Sequence, residues 1–194
     1  MASLENRRKP VAASKRPLYL IALMCLAPIV GSFALYYWMP PSRQINYGTL
    51  IAPRPLPDAT LHGLDGKALA LRDLRGKWLL VSIDAAPCEA PCAARLYATR
   101  QARTMQGKER ERVNRLWLVT GDGAPPPELQ AAHPDLLIAR ADPALLAALP
   151  VAETGAAIYL VDPLGNLMLR YPAEPDIKRL HKDIARLLYA SRIG

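Results

Sequence analysis

The chain has 194 residues, 51% of them hydrophobic and 22% charged, with 19 prolines, three cysteines and a net charge of +8. That composition supports one globular domain with an appendage and excludes disorder over most of the length. Five of the cations precede residue 17 beside a single acid, Glu5, and the remainder has no basic stripe interleaved with aromatics, so no nucleic-acid partner is indicated.

Residues 17–39, PLYLIALMCLAPIVGSFALYYWM, contain no charged side chain and reach the length of about 20 residues that a bilayer-spanning helix needs. Arg7, Arg8, Lys9, Lys15 and Arg16 precede this run, whereas only Arg43 and Arg54 are scattered beyond it. The positive-inside rule therefore predicts a cytoplasmic basic tail over 1–16, a transmembrane helix over 17–39 and an external remainder. Tyr36, Tyr37 and Trp38 fit an outer interfacial belt, and Pro28 predicts a mild kink. A cleaved signal peptide is the alternative, against which stand the length of the run and the lack of a small-residue cleavage site. MASLENRRK makes a poor mitochondrial leader, so the expected location is a bacterial inner membrane with a periplasmic domain.

Residues 40–57, rich in proline and without periodicity, read as an extended spacer, with the folded domain expected over 58–194. Asp65-Gly66, flanked by apolar alternation, predicts a β-hairpin, and Trp78 to Asp84 a strand buried on both faces. Residues 92–106 favour helix, KERERVNR at 108–115 reads as a solvated helix end, and Leu116 to Thr120 as a second buried strand. ELQAAH predicts a short helix and LLIA a short strand, while Asp142 and Pro143 begin a further helix as N-cap and first helical residue. AAIYLVD and NLMLRY form a second hairpin, and Ile177, Leu180, Ile184, Leu187 and Leu188 share one face of a terminal helix. Alternating strands and helices with hairpins near both ends argue an α/β sandwich with a mixed sheet.

The stretch AAPCEAPCA places Cys88 and Cys92 between a buried strand and a helix that Pro91 is suited to begin. A helix N-terminus favours thiolate, so Cys88 is expected as the exposed attacking sulfur and Cys92 as the resolving one. The spacing also admits a soft metal, Cu(I) or Zn, or an inert disulfide, although a loop this small gains little from closure. Cys25, inside the apolar run, is read as a lipid-embedded bystander.

The order of these features resembles the SCO/SenC family, membrane-anchored thioredoxin-like proteins that assist copper delivery to cytochrome c oxidase. The similarity runs over about residues 58–190 and rests on LRDLRGKWLLVSID leading into CEAPC, and on AIYLVDPLGNLMLRYP. It implies a thioredoxin-like fold, Cys88 and Cys92 as a copper-binding or redox-active pair, copper as a possible cofactor, and a cytochrome oxidase copper-site subunit or another copper or thiol protein as partner. Family members place a third copper ligand, His, where this chain has Thr154, and their prolines follow the cysteines, whereas Pro87 and Pro91 precede them. His62, His133 and His181, and the thioethers of Met105 and Met168, each have an ordinary structural reading instead. The functions weighed are an assembly factor acting as copper carrier or thiol reductant, a general thiol-disulfide oxidoreductase, and a non-catalytic interaction module.

Overall fold

The computed structural model describes residues 15–38, 46–64, 66–150 and 156–191, in two separate units, Met1–Ile45 and Asn46–Gly194. Among the described residues the first unit holds the helix α1, Arg16–Trp38, long and apolar enough to cross a membrane, with Pro28 inside it and none of its residues buried. This helix begins one residue before the expected span of 17–39, and Met39 lies outside the described residues.

In the second unit the central strand is β4, Trp78–Ala85, whose apolar run is buried on both faces as expected. Beside it lies β5, Val113–Thr120, in parallel register from Trp78 opposite Val113 to Ala85 opposite Thr120. The parallel strand β6, Leu136–Arg140, forms one sheet edge. On the other side β7, Ala157–Val161, and β8, Asn166–Tyr171, run antiparallel as the second hairpin. Gly165, at a φ of +92°, supplies the left-handed turn between them that a residue with a Cβ resists.

One expectation is corrected at the opposite edge. Thr49–Pro55, read from sequence as spacer, is β1, paired antiparallel with β8, so the folded unit begins near Asn46 instead of Asp58. Prolines obscure this strand because they cannot donate to a ladder; at an edge, with a register shift between Leu50 and Arg54, they are tolerated. The chain enters β1 under restraint: the Asp183 carboxylate accepts the backbone N–H groups of Tyr47 at 2.6 Å and Gly48 at 3.0 Å.

The first hairpin forms as expected from β2, Thr60–His62, and β3, Ala68–Ala70, with Gly66 in the turn and Asp65 outside the described residues. With α4, Pro143–Ala148, it covers one face of the sheet over Leu79, Val81, Leu116, Leu118 and Tyr159. Asp142 caps α4 as predicted, accepting the Leu145 N–H at 2.9 Å.

The opposite face is covered by α2, Ala90–Thr104, and by α5, Ile177–Ala190, whose Leu180, Ile184 and Leu188 pack on Trp78, Leu80, Ile158 and Leu160. A short helix, α3, Pro127–Ala132, precedes β6.

KERERVNR is the second correction. Its first part is a 3-10 turn, Gly107–Arg112, and β5 already begins at Val113, with Arg115 fully inside the protein. Strand alternation puts Val113, Arg115, Trp117 and Val119 on one face, so a residue in a mixed-charge run is drawn under α2.

Candidate functional site

β4 ends at Ala85 and the chain turns through Ala86, a cis peptide to Pro87, and Cys88 before α2 starts at Ala90. Pro91 stands in the first turn of α2, where its missing N–H loses no bond, and Glu89 at the N-cap makes no side-chain cap. The positive end of the helix therefore faces the cysteine loop without a capping side chain.

Cys88 and Cys92 are joined in a disulfide, their Cα atoms 5.3 Å apart, inside the usual span. Cys88 is half-buried, whereas Cys92 is 5% exposed and packs with Leu96, Trp117 and Val119. This asymmetry follows from the helix: Cys92 lies on its inward face together with Leu96, one turn on.

Beneath the loop is an ion pair that no sequence signal announced. Arg95 donates from Nε to one oxygen of Asp84 at 2.8 Å and from a terminal nitrogen to the other at 2.6 Å. Its second terminal nitrogen donates to the Ala173 carbonyl at 2.8 Å, and both side chains are under a tenth exposed. The Trp117 indole N–H also reaches the Asp84 carbonyl at 3.3 Å.

The loop after β5 closes over the same region. A Cβ on Gly123 would lie 2.2 Å from the Ala86 carbonyl oxygen, a contact with backbone that has no flexible end to yield. Gly123→Ala is expected to cost about 1–3 kcal/mol as an overpacking change and to displace Ala86 and Pro87. Thermal melting, with the alkylation rate of reduced Cys88, checks both effects, and an unchanged melt would contradict this contact.

Deeper, between α2 and the α3–β6 connection, Arg115 donates to the Leu96 carbonyl at 2.7 Å, to Thr99 at 3.0 Å, and to Asp135 at 3.2 Å. Burial lowers the Arg115 pKa to about 10 even with Asp135 beside it. Burial alone would push the Asp135 carboxyl up, but Arg115 and Arg103 together hold it below its ordinary value. His133, 3.4 Å from Arg115, is pushed below the usual imidazole value by burial first and then by the charges of Arg115 and Arg100. A folded pKa below the unfolded one means that the unfolded chain takes up the proton first as pH falls. The contribution of neutral His133 is therefore complete above about pH 6.5 and is lost as pH drops from there through the depressed folded value. His133→Gln is expected to flatten that part of a stability profile measured by denaturant titration between pH 7.5 and 4.5.

The three histidines occupy three places. His62 is exposed on β2, His133 is in the Arg115 cluster, and His181 on α5 meets Gln106 at 3.1 Å. Among the described residues no group of three or more His, Cys, Asp or Glu side chains could hold a metal ion. Thr154, where the resemblance expects a His, lies outside the described residues. Met105 is exposed and Met168 packs beside the α5 core. Cys25 is a free, exposed cysteine on α1.

Residues 78–191 match the family described as transmembrane-like, thioredoxin-like, C-terminal domain. No curated protein matches the chain. Among solved structures it is similar to apo Sco1 from Thermus thermophilus, with 23% identity, a TM-score of 0.56, and coverage of 75% of this chain and 96% of that one. It is also similar to copper-bound ScoI from Bradyrhizobium japonicum, with 19% identity, a TM-score of 0.53, and coverage of 69% and 99%. A third is the thioredoxin domain of a thiol-disulfide oxidoreductase from Bacteroides vulgatus, with 18% identity, a TM-score of 0.52, and coverage of 72% and 99%. At these identities the likeness is one of fold, the thioredoxin-like α/β fold expected from sequence. Strand order, the cysteine pair at the end of β4 and the match over β4 to α5 agree: this chain belongs to the transmembrane-like, thioredoxin-like, C-terminal domain family.

Proposed function

We propose that this protein is a membrane-anchored, SCO-like thiol-disulfide exchange protein that acts as a reductant of paired cysteines in a copper-site partner, such as the copper subunit of cytochrome c oxidase. The observation that carries this reading is the asymmetric pair: Cys88 half-buried at a helix N-terminus, Cys92 buried behind it, joined as a disulfide. In the reduced protein the Cys88 thiolate attacks a sulfur of the partner disulfide, forming a mixed disulfide and releasing one partner thiol. Cys92 then attacks the Cys88 sulfur, closing the internal disulfide and releasing the second partner thiol. Two electrons and two protons pass to the partner, and an external dithiol donor must restore the pair.

In this reading α1 anchors the chain in an inner membrane with residues 1–16 cytoplasmic and the folded unit periplasmic. The resemblance to SCO/SenC proteins, and the fold shared with thiol-disulfide oxidoreductases, support exchange chemistry on either kind of partner. Copper as cargo would rest on the two sulfurs alone, and only after the disulfide is reduced. Two thiolates suit Cu(I), but the described residues group no imidazole with them.

Redox titration of the full chain in detergent tests the proposal. The expected midpoint lies above about −300 mV, the region below which structural disulfides fall; a pair that resists reduction to that potential would overturn it. Cu(I) titration of the reduced chain separates carrier from reductant, since binding tighter than micromolar would move the assignment to carrier.

A further inference from the structure

Arg95 stands three residues after Cys92, on the neighbouring position of the same helical face, so its charge is carried in the first turns of α2 beside the inner sulfur. Asp84 closes the other side, one residue before the end of β4 and four before Cys88. Their fork-to-fork contact, 2.6 and 2.8 Å, leaves a buried unit with no net charge between the end of β4 and the early turns of α2. Other ionisable side chains on the adjoining segments, Glu89, Asp122, Glu174 and Asp176, are exposed to water and screened by it. In such a site, one buried charge left without its partner acts on the turn of α2 that carries Cys92 with less screening than it would at the surface.

We propose that Asp84 and Arg95 are positioning residues that set the balance between the disulfide and dithiol forms, Asp84 cancelling the field that Arg95 would otherwise exert on the reduced sulfurs. This rests on the exchange function assigned above and names its control. Reduction places negative charge on sulfur, so an uncompensated Arg95 stabilises the reduced form and makes the disulfide the stronger oxidant. Neutralising Asp84 has that consequence. Neutralising both members removes it again. The Ala173 contact fixes the guanidinium against the loop after β8, so Arg95 cannot swing away when its carboxylate is lost.

The test uses the full chain in detergent, carrying Cys25→Ser so that only the pair reports, equilibrated with glutathione and its disulfide. Two glutathione thiols give up two electrons and two protons as the Cys88–Cys92 bond takes them. Asp84→Asn is expected to move the equilibrium about tenfold toward dithiol, close to 30 mV for a two-electron couple. Adding Arg95→Gln is expected to return it to within about twofold of the parent. Because an unpaired buried Arg95 costs stability, Asp84→Ser, which admits water beside it, is the second variant and should shift the same way. A purely structural pair predicts the opposite pattern, with the double variant as impaired as the single. Asp84 variants that do not move toward dithiol, or a double variant that stays shifted, would overturn the inference while leaving the exchange function standing. A parent disulfide that no glutathione ratio opens would remove both.

Discussion

Replacing Cys92 by Ser is expected to leave the first chemical step and abolish the second, so that a partner with an exposed disulfide accumulates as a stable mixed disulfide on Cys88. Replacing Cys88 is expected to bring both steps to background, because Cys92 is packed under Leu96, Trp117 and Val119 and offers an incoming disulfide no approach. The difference arises from burial, since both cysteines stand at one helix N-terminus. Nonreducing electrophoresis of the full chain mixed with a disulfide-bonded peptide distinguishes the variants. Trapping by Cys88→Ser instead of Cys92→Ser would reverse the assignment of attacking and resolving sulfurs. Equal trapping by both would remove the asymmetry on which the mechanism depends.

The largest effect on stability is expected at Asp135. Arg115 has no exposed side-chain surface, and Asp135 supplies its carboxylate partner while 27% exposed itself. Asp135→Ala leaves the guanidinium inside with only Leu96, Thr99 and a neutral His133 as acceptors. Breaking a buried pair by removing one partner costs about 3–5 kcal/mol, which corresponds to roughly 6–20 °C in the melting temperature of a chain this size. Arg115→Met, by contrast, leaves a carboxylate that reaches water and a side chain that fits the apolar surroundings. It should cost much less. Denaturant melts of the two variants check the order, and an Arg115→Met variant weaker than Asp135→Ala would show that hydrogen bonds to Leu96 and Thr99 outweigh the charge.

These residues also mark where the amino-acid order speaks and where it does not. β4 was legible because Trp78 to Asp84 is a nearly continuous apolar run, and α4 because Asp142 and Pro143 are start chemistry that acts locally. The terminal helix was legible from its apolar face. β1 was hidden by Pro53 and Pro55, whose meaning depends on whether a strand lies at an edge, a property of the assembled sheet. Arg115 was hidden by its charged neighbours, although the alternation Val113, Arg115, Trp117, Val119 already has the period of a strand and could have exposed it. For Asp84 and Arg95 no such local signal exists, because their contact is created by a turn between strand and helix. The cysteine pair was visible as a spacing, but which sulfur is buried follows from the inward face of α2, and that needs the sheet against which it packs.

The contact between Asp183 and the backbone of Tyr47 and Gly48 has a mechanical consequence. Any pull applied to the chain just before Tyr47 meets this carboxylate before it reaches the hydrogen bonds of β1. The load passes into α5, which is held along its length by Leu180, Ile184 and Leu188, instead of peeling an edge strand from β8 one bond at a time. A domain fastened in this manner resists tugging by shear across a helix.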